Sequence, residues 1–191
     1  MTVAFFAGVA AGLLHVFSGP DHLAAVAPLT VDSDRRHWQT GLQWGAGHTA
    51  GVLLIATLLL LMREQLPLDA ISAYSERLVG GALIAVGAWG LIKARRASQS
   101  HSHSGASFAM GTLHGLAGSS HLFGVLPALA FSARTESMLY LSGFGLGAIA
   151  GMSAFAAGIG AVAIRFGGVR KFLYASSAAA LVIGGFWLVG K

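Results

Sequence analysis

Apolar residues fill this chain in long blocks separated by short polar breaks. A helix that crosses a bilayer needs about 20 mostly apolar residues, and six blocks meet that length: roughly 3–28, 40–62, 77–94, 107–131, 137–164 and 171–190. The breaks carry turn and charge punctuation: Asp32 through Arg36, Arg63 through Pro67, Lys93 through Gly105, Arg134 through Glu136, and Arg165 through Lys171. None is long enough to hold a soluble domain. The pattern predicts an all-α polytopic membrane protein of six transmembrane helices, with residues 1–191 forming one transmembrane domain.

Composition strengthens this picture. Hydrophobic residues make up 55% of the chain and charged residues 10%, whereas a soluble domain averages about 25% charged; the mean hydropathy is +0.71. The first block is interrupted by Gly19-Pro20-Asp21-His22 and has no small-residue cleavage site, so no removable signal peptide is expected. The formal charge of +5 does not point to nucleic acid, because Lys and Arg gather at the ends of apolar blocks. The first, third and fifth connections hold eight of them (Arg35, Arg36, Lys93, Arg95, Arg96, Arg165, Arg170, Lys171). The other side holds four, Arg63, Arg77, Arg134 and Lys191. The positive-inside rule then predicts a multi-pass inner-membrane protein with both termini outside the cytoplasm.

Two segments 99 residues apart read alike: Gly12-Leu-Leu-His15-Val-Phe-Ser-Gly19-Pro-Asp-His22-Leu23 and Gly111-Thr-Leu-His114-Gly-Leu-Ala-Gly118-Ser-Ser-His121-Leu122. Downstream, Trp44-Gly-Ala-Gly47 with Gly51 matches Phe144-Gly-Leu-Gly147 with Gly151. These matches predict a repeat of three helices, about 1–97 and about 106–191, joined by a His- and Ser-rich loop at 98–105. Three crossings reverse the chain's direction, so the second copy enters from the opposite face and the repeats are inverted, an architecture common among transporters.

Ionisable side chains inside a bilayer cost a few kcal/mol each on insertion scales, and those present usually face a polar cavity. His15, His22, His48, His114 and His121 fall within or at the edge of apolar blocks, with Asp21 beside His22. In an unbroken helix residues seven apart lie roughly 10.5 Å apart along the axis, too far for His15 and His22 to share an ion. Pro20 cannot donate to the Val16 carbonyl, and Gly19 tolerates non-helical backbone, so the first helix should break there and bring them together. Gly118, Ser119 and Ser120 predict a milder break in the fourth helix. Freed carbonyls and half-helix ends at such breaks can join an ion site.

His101 and His103 form a His-x-His tract that suits metal collection at the cytoplasmic mouth. His37, beside Arg36 and Trp38, reads as an interfacial residue. The chain has no cysteine, which excludes disulfides, thiolate ligation and a thiol redox relay. Several imidazoles with one carboxylate fit nickel, cobalt or zinc better than copper(I), and fit calcium or magnesium poorly. No GxxxxGK[ST] phosphate loop is present, so coupling would come from an ion gradient, the membrane potential or a partner.

At His15, Asp21 and His22 the chain resembles the nickel/cobalt transporter superfamily, and within it the short six-helix branch of urease-accessory-type membrane proteins. The superfamily's early-helix signature is His-x4-Asp-His; here five residues separate His15 from Asp21, in a Gly-Pro-Asp-His context. The resemblance implies metal handling by His15, Asp21 and His22. His114 and His121 follow from the repeat and from a similar second motif in relatives, and His48 from its Gly-His-Thr setting. The implied activity is a secondary permease for a divalent transition metal, Ni2+ or Co2+ with Zn2+ as a further candidate, carried as substrate with no permanently bound cofactor. The alternatives are a metal exporter and a membrane accessory protein that hands metal to urease or another metalloenzyme during maturation. The lack of cysteine weighs against a redox conveyor, and no enzymatic activity is expected. Expected partners are the metal ion, the bilayer and maturation proteins; small-residue runs such as Gly80-Gly81 would also permit a homo-oligomer.

In this cysteine-free chain, Val31→Cys and Ser104→Cys should both react with a membrane-impermeant maleimide from the cytoplasmic face. Labelling from opposite faces would disprove the topology.

Overall fold

The computed structural model describes residues 2–31, 36–61, 80–81, 83–92, 94–95, 104–116, 119–165 and 169–189; for a few helical residues, His121 among them, it describes the backbone alone. The described residues are helical, with no strand: α1 (Thr2–Ser18), α2 (Pro20–Val31), α3 (His37–Leu61), α4 (Leu83–Ile92), α5 (Ser104–Leu116), α6 (Ser119–Ala130), α7 (Arg134–Arg165) and α8 (Val169–Val189).

The first apolar block divides at the residues that cannot continue a helix. α1 stops at Ser18 and α2 opens on Pro20, the first helical position, where a missing N–H costs nothing. The Gly19 carbonyl accepts the backbone N–H of His22 at 3.1 Å and of Leu23 at 3.4 Å, closing the first turn of α2. The chain bends by 76° between the two helices. The fourth block divides at the matching place, with α5 ending at Leu116 and α6 beginning at Ser119; residues 117–118, including Gly118, lie outside the described residues. Pro28 and Pro127 also stand 99 residues apart, inside α2 and α6. α5 starts at Ser104, so the end of the His/Ser-rich tract is helical rather than loop, while His101 and His103 lie outside the described residues.

Apolar length is distributed less evenly than six uniform spans would require. Among the described residues only α7 is long and apolar enough to cross a bilayer alone, and α1 with α2 qualify jointly as a bent pair. The breaks leave α5 with 13 residues and α6 with 12, and Gln39, Gln43, His48 and Thr49 lower the hydropathy of the first half of α3.

Helices pack crosswise between the halves of the chain: α1 lies along α7, α3 lies along α5 and crosses α7, and α2 rests on α8. Glycines at matched positions make these crossings. A Cβ on Gly12 would fall on the Phe144 carbonyl oxygen, and a Cβ on Gly111 on that of Trp44; Gly147 stands in the same relation to Val9, and Gly47 to Phe108. Where α3 crosses α7, Gly45 faces Ile149 while Gly145 faces Thr49, whose hydroxyl donates to the Gly145 carbonyl at 3.3 Å. Without side chains between them, these backbones approach closely enough for dense van der Waals contact, the main attraction between helices in lipid. The buried centre is correspondingly made of small residues around a few large ones: Ala148, Ala156 and Val16 with Trp44 and Met152, and Ala56, Ala128 and Val52 with Phe144 and Tyr140.

Gly12→Ala therefore introduces a methyl group into backbone that cannot yield, and should destabilise the fold by about 1–3 kcal/mol, the usual cost of overpacking. Gly158→Ala faces open space and should stay within about 0.5 kcal/mol of wild type. Thermal unfolding of the two purified variants in one detergent compares them, and equal melting temperatures would refute the tight crossing.

Candidate metal centre

Each polar residue of the centre owes its place to a local feature of the chain. The 76° bend turns the start of α2 back toward α1, so that the His15 and His22 rings meet edge to face at 4.5 Å between centroids, less than half the separation a continuous helix would give. Gly19 is required there, because a Cβ on it would fall on the His22 Nδ1 atom and lie 3.0 Å from Asp21 Oδ1. On α3, Trp44 and His48 share one face a turn apart and stack at 5.1 Å with 15° between their planes. On α5, Gly111 and Gly115 fit against the Trp44 and His48 carbonyls, which lets the helix carry His114 into the centre.

Asp21 joins the group. Its Oδ1 lies 3.1 Å from His22 Nδ1 and its Oδ2 lies 3.1 Å from His114 Nε2. A carboxylate accepts only, so the geometry assigns the Nδ1 proton to His22 and leaves the lone pair of that ring on Nε2. Asp21, His22, His48 and His114 are all at most 3% exposed, and His15 is half-buried. His48 lies 5.0 Å from His22 and 5.5 Å from His15, and His114 lies 4.7 Å from His22, all between ring centroids.

Ligand atoms of these residues fall into two groups, His15 with His22 and His48, and Asp21 with His22 and His114, each lying within 4.8 Å of one another. Three imidazoles, or two imidazoles and a carboxylate, form a borderline nitrogen and oxygen donor set for a first-row divalent ion. The carboxylate–imidazole contact fixes the ring that would face it. The chain has no sulfur ligand from cysteine to add.

Comparison with known proteins gives this geometry a context. The chain is 29% identical over 174 residues to the urease accessory protein UreH of Bacillus sp. (strain TB-90), covering 80% of this chain and 74% of that protein. It is also similar to two proteins of Arabidopsis thaliana. Chloroplast protein FOR GROWTH AND FERTILITY 2 is 35% identical over 127 residues, and chloroplast protein FOR GROWTH AND FERTILITY 1 is 41% identical over 88 residues. These alignments cover 57% and 46% of this chain but only 34% and 24% of the plant proteins' own lengths. No family model matches the chain. No solved structure matches it either.

Of the residues singled out from sequence, His15, Asp21, His22, His48 and His114 come together. His121 stands on α6, two residues after its start, with its side chain outside the described residues, as are His101 and His103. Ser119 and Ser120 open α6. His37 departs from a purely interfacial role: it opens α3, its Nδ1 lies 3.0 Å from the Thr30 carbonyl, and its ring occupies the space left by Gly160. The aromatic walls went unread in the sequence. Trp44 lies 5.2 Å from His114 and 5.9 Å from His22, and Phe144 lies 5.4 Å from His15. Their signal was present, since Trp44 stands one turn before His48 and the two aromatics occupy matched places in the repeat.

Asp21→Asn keeps the shape of the side chain but removes its charge and turns one acceptor into a donor. Calorimetric titration of the purified variant should show Ni2+ affinity lowered about 10–100-fold, the usual cost of losing such an orienting partner. Unchanged affinity would show that the carboxylate takes no part in holding metal.

Proposed function

We propose that the chain is a secondary permease that moves a divalent transition metal, nickel first and cobalt second, across the cell's inner membrane. The observation that carries this reading is the convergence of one carboxylate and four imidazoles, drawn from α1, α2, α3 and α5, in the interior of a helical bundle. No structural need of an apolar bundle calls for so many ionisable groups in one place, and burying them together is costly unless they bind something.

The outer surface supports a membrane setting. Large apolar side chains face outward on most helices, including Phe6, Leu14, Leu58, Phe108, Leu146, Val182 and Phe186, while buried polar groups gather inside. The exposed hydroxyls of Ser18, Thr57, Thr112 and Ser142 bond carbonyls four residues back at 2.6–3.0 Å, so they carry little unmet polarity into lipid. In this reading the chain crosses six times as two inverted three-helix repeats, with both termini outside the cytoplasm. The matched crossings Gly12–Phe144 with Gly111–Trp44, and Gly147–Val9 with Gly47–Phe108, support the repeat. Nickel is preferred over other imidazole-binding metals because the His15, Asp21 and His22 motif resembles the nickel/cobalt transporters and because a relative is named a urease accessory protein.

That name also favours a second reading, in which the chain binds metal and passes it to a maturing metalloenzyme without moving it across the membrane. Flux separates the two. Purified protein in sealed proteoliposomes should carry radiolabelled Ni2+, His22→Ala should abolish the flux at matched protein levels, and His103→Ala should reduce it much less. Protons compete with metal for imidazole nitrogens whose reference pKa is about 6.5, so flux limited by binding should fall as pH drops from about 7.5 to 5.5. Full flux in His22→Ala would refute the site, and binding without flux in wild type would favour the accessory role.

A further inference from the structure

The two ligand groups differ in where the chain supplies them. His15, His22 and His48 all precede Ser104 and come from α1, α2 and α3, the first half of the chain. The second group needs His114 on α5, from the other half, facing Asp21 and His22 on α2. The groups share His22, yet the ligand atoms form two sets rather than one, so a single ion position does not use all five residues. The contact between Asp21 Oδ2 and His114 Nε2 at 3.1 Å therefore joins the two halves and also belongs to a donor set. α5 lies along α3 with Gly115 against the His48 carbonyl, so a displacement of the second half that separates those helices also withdraws His114 from Asp21.

We propose, building on the permease reading, that the centre contains two overlapping ion positions that meet at His22. His15, His22 and His48 form a holding position that lies within one half and keeps its shape as the halves move. Asp21, His22 and His114 form a transfer position that exists only while the halves are closed on each other. His114 is then the residue that couples ion movement to the motion of the protein, and His48 the residue that retains the ion. Any motion that opens one side of a centre built between two packed halves must break contacts between them and spare those within each.

The test separates binding from flux in the full-length protein, with Ni2+ alone as the probe. His48→Ala should lower Ni2+ affinity about 100-fold or more and flux with it, whereas His114→Ala should lower affinity by less than about tenfold and flux by more than about tenfold. His114→Gln keeps a donor for Asp21 and guards against misfolding; it should show the same retained binding and lost flux. X-ray absorption of the wild-type Ni2+ complex should report three imidazoles, a number His114→Ala leaves at three and His48→Ala reduces. Equal losses of affinity in His48→Ala and His114→Ala, or wild-type flux in either His114 variant, would overturn the division into two positions while leaving the permease reading intact. Undiminished Ni2+ binding in all three variants would instead tell against metal handling by this centre.

Discussion

The buried carboxylate of Asp21 is the constraint to which the rest of the centre answers. An ionised carboxylate in an apolar interior costs several kcal/mol unless it is paired and hydrogen-bonded. Its two oxygens meet His22 and His114, one ring from the same helix and one from the other half of the chain. Placing it there demands a helix start in the interior of the bundle, which Gly19 and Pro20 provide, and a close approach of α5, which Gly111 and Gly115 provide. At the first turn of α2 the carboxylate also lies at the positive end of the helix dipole, a favourable place for its charge.

The glycine crossings perform the complementary task of holding the bundle together, which in the proposed membrane setting they would do without a water-driven core. Lipid tails are as apolar as leucine, so helices there associate through packing and interhelical hydrogen bonds. Backbone-to-backbone contact at Gly12, Gly47, Gly111 and Gly147 supplies the packing, and Thr49 to Gly145, Ser137 to Ala128 and Tyr140 to Gly124 supply hydrogen bonds between elements at 2.6–3.3 Å. Because Gly47, Gly51, Gly111 and Gly115 lie where α3 and α5 meet, these contacts also fix the spacing between His48 and His114.

Much of this was legible in the sequence, for reasons specific to the residues. The break after Ser18 follows from what proline cannot donate, and the meeting of His15 with His22 follows from the break. The helical blocks follow from apolar runs, with ends shifted by a few residues where Ser104 and Arg134 extend helices into polar sequence. Other features were not legible. Which helix packs on which depends on glycine faces whose partners are far away in sequence, from 61 residues for Gly47 and Phe108 to 138 for Gly147 and Val9, and a spacing pattern on one helix does not name its partner. The role of Trp44 was hidden because an aromatic near a membrane helix reads as ordinary apolar bulk until its neighbours are known. Six crossings are not legible in the structure to the same degree, since among the described residues only α7 alone, and α1 with α2 as a bent pair, are long and apolar enough to span.

The repeat is imperfect at two residues of the centre, and this carries a mechanistic consequence. Trp44 answers to Phe144 and His15 to His114, but Ser120 stands where Asp21 would recur and Ala148 where His48 would. A perfectly repeated pair would build two equal sites or one site on the axis, and an ion would then have no preferred half. Here the one buried carboxylate among the described residues and the third imidazole both belong to the first copy, while Ala148 is fully buried in the apolar cluster that also holds Val16. On the proposed permease reading, the ion would be held by one half and contacted by the other, so a rocking motion could change the contact without releasing the hold. Asymmetry at matched positions, rather than symmetry, is what would let two similar halves perform different parts of one transport step if the chain works as that permease.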